Sequence, residues 1–179
     1  MNVLLLNGSP AVKSHTKGTL VFVEQEFKRL GHTAKIIDLE SFSLPVNDPI
    51  YHADAMQSPN EKVREFAQII ADSDLVVLGT PLYHGSFSGL LKCALDNLDG
   101  DAFEGKRILL CSNASGPRSA VQASQQLVIV PRTMGGLVHN SVIGTCKSDH
   151  TETETAFELT SDEIKNRCQK IVKEMTSSE

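Results

Sequence analysis

The chain has 179 residues, 40% of them hydrophobic, enough for one domain that buries roughly 70% of its unfolded surface without staples. Lys and Arg number 17 against 22 Asp and Glu, a formal net charge of −5, which argues against nucleic acid as a partner because that role wants a basic face. The absence of Trp and an aromatic content of 5% argue against a carbohydrate platform or a base-stacking surface.

The N-terminus carries no basic segment, and its apolar run is too short for a signal peptide. Val3–Leu6 reads as a buried strand that ends in the turn Asn7-Gly8-Ser9-Pro10. Leu20, Val23, Phe27 and Leu30 recur at helical spacing, and Gly31 closes that helix. Ala34–Leu39 is the second predicted strand. Residues 40–57, with Pro45 and Pro49, show no period and form a long loop of the kind that often serves function. Ser58-Pro59-Asn60-Glu61 has the form of a capping box with Pro at the first helical position, and Val63, Phe66, Ala67 and Ile70 make the stripe of that helix.

Asp74–Pro81 is the third strand, apolar on both faces as a central parallel strand should be. Leu91, Ala94, Leu95 and Leu98 mark a helix, and Arg107–Cys111 a fourth strand. Ala120, Ala123, Leu127, Val130 and Met134 mark another helix, with a kink expected at Pro131. Leu137–Ile143 reads as the fifth strand and Cys146–Glu158 as a polar loop. Thr160-x-x-Glu163 caps a last helix with Ile164, Cys168, Ile171 and Met175 inward. Nothing reaches the ~18 apolar residues of a membrane-spanning helix. The four cysteines, Cys93, Cys111, Cys146 and Cys168, form no Cys-x-x-Cys pair and read as reduced thiols of a cytoplasmic protein.

Strict alternation of strand and helix predicts an α/β fold: one domain over residues 1–179, a three-layer α/β/α sandwich on a five-stranded parallel sheet of flavodoxin-like order 2-1-3-4-5. In that order ligands sit beyond the carboxyl ends of the strands, beside strand 1. After strand 1 come Gly8, Ser9, Pro10 and then Ser14, His15 and Thr16 at a helix start. The hydroxyls and free helix N–H groups suit a phosphate, with Lys13 or His15 to add charge; the same residues also suit an ordinary Ser-capped helix. The Walker and Gly-x-Gly-x-x-Gly patterns are absent, which disfavours a nucleoside triphosphate or a dinucleotide.

After strand 3 comes Thr80-Pro81-Leu82-Tyr83-His84-Gly85-Ser86-Phe87-Ser88-Gly89-Leu90-Leu91-Lys92, and after strand 4 Ser112-Asn113-Ala114-Ser115-Gly116-Pro117-Arg118. The first has the make-up of a loop that lays backbone and an aromatic ring against a flat ligand, or of a plain turn capped by Ser88. Three small polar loops on one sheet edge favour a site. Arg118 reads equally as a contact for nucleotide phosphates or as a surface residue. His150-Thr151-Glu152-Thr153-Glu154 reads as solvated loop rather than a metal site, for want of a matching partner motif.

Gly8-Ser9-Pro10 with Ser14-His15-Thr16 resembles the phosphate loop of the flavodoxin-like NADPH-dependent FMN reductases. Residues 80–92, followed by Leu95-Asp96, are similar to their flavin-ring loop, and Leu44-Pro45 also fits. The resemblance covers residues 1–140. It departs at Ala11-Val12-Lys13, where members often carry Arg, and at Asn113-Ala114-Ser115-Gly116, where a Gly-Gly pair is common. The resemblance implies that Ser9, Pro10, Ser14, His15 and Thr16 hold the FMN phosphate. It places Pro81, Leu82, Tyr83, His84, Gly85 and Ser86 along the isoalloxazine, with Asn113, Ala114, Ser115 and Gly116 closing the other edge. It implies hydride transfer from NADPH or NADH to FMN, then electron transfer to free flavin, a quinone, an azo dye or a similar small acceptor. No catalytic side chain and no metal are assigned. A homodimer or homotetramer is implied as well, and neither nucleic acid nor membrane is expected as a partner. The rival readings are a flavodoxin-type electron carrier without NADPH turnover and a flavin-binding regulator that has lost catalysis.

Overall fold

The computed structural model describes residues 1–177. Strands β1 (Asn2–Asn7), β2 (Thr33–Asp38), β3 (Leu75–Pro81) and β4 (Arg107–Ala114) pair in parallel, in the order β2-β1-β3-β4. The outer edge of β4 carries β5 (Leu137–Val138) beside Arg107–Ile108 and β6 (Ile143–Cys146) beside Cys111–Ala114. The order 2-1-3-4-5 therefore stands, but the fifth strand is two short pieces, not one run over 137–143. His139 and Ser141 explain the gap: the Ser141 N–H donates to His139 Nδ1 (3.1 Å), a local bond that competes with the ladder.

Alternation along each strand sorts the apolar side chains onto two faces. Val3, Leu5, Leu75, Val77, Leu109 and Cys111 face α1 (His15–Arg29) and α7 (Asp162–Thr176). Leu4, Leu6, Val76, Leu78, Ile108 and Leu110 face α3 (Glu61–Ala71), α4 (Gly89–Asp96) and α5 (Gln122–Leu127). The result is the expected α/β/α sandwich.

The remaining differences from expectation are local. The long loop contains α2 (Leu39–Phe42) and two single 3₁₀ turns. The third helix starts two residues later than Pro59 allows: Asn60 is its cap, accepting from the Lys62 N–H at 2.9 Å, while Ser58 Oγ caps only the Asn60 N–H. Ser161, not Thr160, caps α7. Beyond β4 the predicted helix divides at Val128 into α5 and α6 (Ile129–Thr133). Pro131 offers no N–H to the carbonyl of Leu127, and its ring crowds that carbonyl, so the helix breaks there. Strand β4 runs through Ala114, which places Asn113 and Ala114 in the sheet rather than in a loop. The segment read as polar loop holds an antiparallel hairpin, β7 (His150–Glu152) with β8 (Phe157–Leu159), folded back onto α1.

Candidate functional site

Three strand ends meet at one edge of the sheet. The Leu82 N–H donates to the Asn113 carbonyl at 2.7 Å, and the Gly8 N–H to the Gly79 carbonyl at 2.8 Å, so the segments after β1, β3 and β4 are tied edge to edge. Ser88 Oγ donates to the Gly8 carbonyl at 2.6 Å and accepts from the Leu91 N–H at 3.1 Å, joining the first loop to the start of α4. Ser88 is thus a cap that also fixes a neighbouring loop.

A cavity of ≈ 270 Å³ opens at this edge. Ser9, Ser14, His15 and Thr16 line it from the first segment, Pro81, Leu82 and Tyr83 from the second, and Asn113, Ala114 and Ser115 from the third. Of the residues singled out in the sequence, Pro10, His84, Gly85, Ser86 and Gly116 do not line it. His84 and Gly85 instead form a two-residue turn closed by paired Tyr83 and Ser86 backbone bonds, with φ of +48° and +83°. Gly tolerates that conformation; His84 is held in it by the closure.

Ser14 is the N-cap of α1, its Oγ accepting from the Lys17 N–H at 3.1 Å. The first helical N–H groups have no partner within a helix and point out of its end. No acidic residue occupies the first turn of α1, whereas α7 carries Asp162 and Glu163 in its own. Thr16 is 1% exposed, and among the described residues its hydroxyl makes no hydrogen bond. The hydroxyl is not one of the fully buried atoms left without a partner; Thr16 lines the open cavity, where a ligand acceptor can reach it.

Two further side chains line the cavity and were not singled out in the sequence: Lys147 and Phe157. Phe157 stacks on His15 with ring centroids 3.9 Å apart. An isolated aromatic in a polar stretch was the available sign. Lys13 also lines the cavity, but its Nζ donates to Glu152 Oε1 at 2.8 Å and to the Thr153 carbonyl at 2.6 Å. The hairpin thus grips the first loop by an ion pair and a stacked ring.

Behind the cavity lies a buried polar chain. His150 Nδ1 is 3.0 Å from the Cys146 carbonyl, which only accepts, so that nitrogen carries the proton. Nε2 faces Thr19 Oγ1 at 2.9 Å, and that hydroxyl also reaches the His15 carbonyl at 3.1 Å. Thr19 meets Thr145 Oγ1 at 3.3 Å, and Thr145 accepts from Asn113 Nδ2 at 3.0 Å. The amide nitrogen of Asn113 is therefore held inward. Burial pushes the His150 imidazole below its ordinary pKa against the Cys146 carbonyl, and burial with the Lys147 charge lowers that of His15. Of the segment 150–154, read as solvated loop, His150 belongs to this chain and residues 150–152 form a strand, while Thr151, Glu152 and Glu154 are exposed as expected. Arg118 is exposed and does not line the cavity.

A larger groove, ≈ 510 Å³, runs between α1 and the hairpin and shares Lys13, Ser14 and Phe157 with the smaller cavity. Its lysines 13 and 17 are paired with Glu152 and Asp38, while Lys165 lines it without an ion pair among the described residues.

A family described as NADPH-dependent FMN reductase matches residues 1–150. The FMN-dependent NADPH-azoreductase of Staphylococcus aureus is 32% identical over 178 residues, covering 99% of this chain and 94% of its own. Among solved structures, the flavoenzyme NAD(P)H:(acceptor) oxidoreductase FerB of Paracoccus denitrificans has the same fold, with a TM-score of 0.76 at 18% identity over 97% of this chain and 94% of that one. So does a Bacillus anthracis FMN-dependent NADH-azoreductase solved in complex with FMN, with a TM-score of 0.71 at 14% identity over 99% and 100%. The match over most of the chain, together with a polar cavity at the switch point of the sheet, shows that this protein belongs to the NADPH-dependent FMN reductase family.

Proposed function

We propose that the cavity at the strand ends holds FMN and that the protein takes hydride from NADPH or NADH and passes electrons to a small acceptor such as free flavin, a quinone or an azo compound. The phosphate goes to the N-terminus of α1, among Ser9, Ser14, His15 and Thr16. The isoalloxazine lies against Pro81, Leu82 and Tyr83, with Asn113, Ala114 and Ser115 at its other edge. The observation that carries this reading is the N-terminus of α1, where the first helical N–H groups and the Ser9, Ser14 and Thr16 side chains meet at the cavity. Such a donor set fits a terminal phosphate. When bound, the flavin supplies the two-electron chemistry; the chain supplies position, electrostatics and access. Small side chains at Ala114 and Ser115 leave room for a nicotinamide to approach the ring.

Anaerobic addition of stoichiometric NADPH or NADH to the FMN-loaded protein tests this. The flavin absorption band should bleach within seconds and return when an acceptor is added. Persistence of the band for many minutes, with bleaching only by a separate reductase, would favour an electron carrier instead.

Three coarser expectations go with the reading. Residues 1–179 act as one domain, since α7 packs into the same core as β1 and α1. The protein works as a homodimer or homotetramer: Tyr83 at the cavity is 45% exposed, and Val46 and Ile50 of the long loop are exposed too, apolar surface that a second copy would cover. Its place is the cytoplasm, where thiols stay reduced; all four cysteines are free, and among the described residues no helix is long and apolar enough to cross a membrane.

A further inference from the structure

We propose that Lys147 is the cation that meets the phosphate of FMN. The proposal rests on the reading of the α1 N-terminus as the phosphate site.

A phosphate monoester carries close to two negative charges at pH 7. A helix N-terminus offers only about half a positive charge, so hydroxyls and N–H groups leave most of the dianion uncompensated. Three side chains lining the cavity are basic: Lys13, His15 and Lys147. Lys13 is committed elsewhere. Its Nζ holds Glu152 Oε1 and the Thr153 carbonyl and sits 5.3 Å from the centre of the Phe157 ring. That contact depresses the Glu152 pKa, so the pair stays ionised and the charge of Lys13 is offset. Lys17, further along α1, is likewise paired, with Asp38 at 2.6 Å.

His15 is a poor source of charge. Burial lowers its pKa, and the charge of Lys147 lowers it further, against a smaller opposing effect of Glu152. Without a bound anion the His15 ring therefore favours its neutral form, which makes it a weaker source of charge than a lysine. Lys147 remains. It is exposed, lines the same cavity, and among the described residues makes neither an ion pair nor a side-chain hydrogen bond. It lines the cavity together with Ser9, Ser14, His15 and Thr16 of the phosphate loop.

The backbone under Lys147 is fixed. Residues 147–149 form a 3₁₀ turn directly after β6, and Asp149 Oδ2 accepts from the Cys146 N–H at 2.7 Å. Asp149 is thereby occupied by the turn itself rather than by the lysine. The hairpin therefore has a double effect: it withdraws the cation of the first loop and leaves a different cation, from the far end of the sheet, facing the site.

The test measures dissociation constants for FMN and riboflavin, which lacks the phosphate, across a range of salt concentrations. The proteins are the parent, Lys147→Gln, Lys147→Arg, Lys13→Gln and Thr16→Ala. Lys147→Gln should weaken FMN by about tenfold, leave riboflavin within about twofold and flatten the salt dependence of FMN binding. Lys147→Arg should restore FMN affinity, and Lys13→Gln should keep the FMN-to-riboflavin ratio within about threefold. If Lys147→Gln leaves that ratio and the salt slope unchanged while Thr16→Ala lowers the ratio, the phosphate site stands and Lys147 is not its cation. A parent protein that fails to prefer FMN over riboflavin would overturn the phosphate site, and this proposal with it. Because Lys147 is exposed, an unchanged melting temperature confirms that the variants differ at the site and not in the fold.

Discussion

Ser14 uses one oxygen for two tasks. Its lone pair caps α1 through the Lys17 N–H, and its proton is left for a ligand. Thr16, next to it, has no capping bond to lose. Ser14→Ala should therefore lower stability by about 1 kcal/mol, the usual worth of a cap, and weaken FMN as well. Thr16→Ala should weaken FMN with little change in stability. Each loses a hydrogen bond to a charged group, which corresponds to roughly ten- to a hundredfold in affinity. Flavin fluorescence titration together with thermal melting separates the two effects; unchanged affinity in both variants would place the phosphate elsewhere. His150 makes a different prediction at the same scale. Its pKa is lowered in the fold, so the folded state favours the neutral ring and the unfolded chain binds the proton more readily. Stability from this residue is full above the ordinary imidazole range and is lost as pH falls through it. Asp149 pulls the other way and His15 reinforces the shift, both more weakly than burial. His150→Gln should flatten the fall of stability with acid, read from urea midpoints at successive pH values. An unaltered slope would mean that His150 has the same pKa in the folded and unfolded states.

Helix α1 and the hairpin test each other's placement through Gly18. Glycine inside a helix normally costs about 1 kcal/mol relative to alanine, so Gly18→Ala should stabilise an isolated α1. In the protein a Cβ at Gly18 would collide with the carbonyl oxygen of Phe157 in β8. The expected sign is therefore reversed: Gly18→Ala should destabilise by about 1–3 kcal/mol, as overpacking does, and loosen the stack of Phe157 on His15. A higher melting temperature in the variant would show that the hairpin does not rest there. This is also where sequence reading reached its limit. Strands β1 and β3 are legible because both faces are buried and their apolar runs are unbroken. The hairpin is not, since His150, Thr151 and Glu152 alternate no apolar face and owe their strand to β8 and α1. The end of β4 misled for a related reason: Ser112 and Asn113 look like loop, yet both are buried, their side chains held by the Ala120 carbonyl and by Thr145. Ser9, Ser14, His15 and Thr16 were legible as a group because chain order alone brings them to a helix start. Lys147 was not, because only the fold brings residue 147 to the same place.

The core joins the two ends of the chain. Ile164, Ile171, Val172 and Met175 of α7 are buried in the same cluster as Val3, Leu5, Leu20 and Phe27. Arg107, which opens β4, donates from Nη1 to the Met175 carbonyl at 2.6 Å. Yet α7 lies beyond residues 1–150, the stretch matched by the family. If those residues formed a self-sufficient unit, removal of α7 would leave a folded flavoprotein. The magnitudes argue otherwise. Burying each of the four large side chains contributes about 1.5–3 kcal/mol, together about 6–12 kcal/mol. The whole stability of a domain this size is about 5–15 kcal/mol. Loss of α7 also uncovers Val23 and Phe27 on the inner face of α1, the helix whose N-terminus lines the cavity. A chain ended after Leu159 should therefore give no cooperative thermal transition by circular dichroism and should bind no FMN. If it melts cooperatively and retains FMN, α7 is an accessory helix and the flavin-binding unit ends before it. The full chain should instead lose its fold and its FMN site together in a single transition, because α1 is at once a wall of the core and the floor of the site.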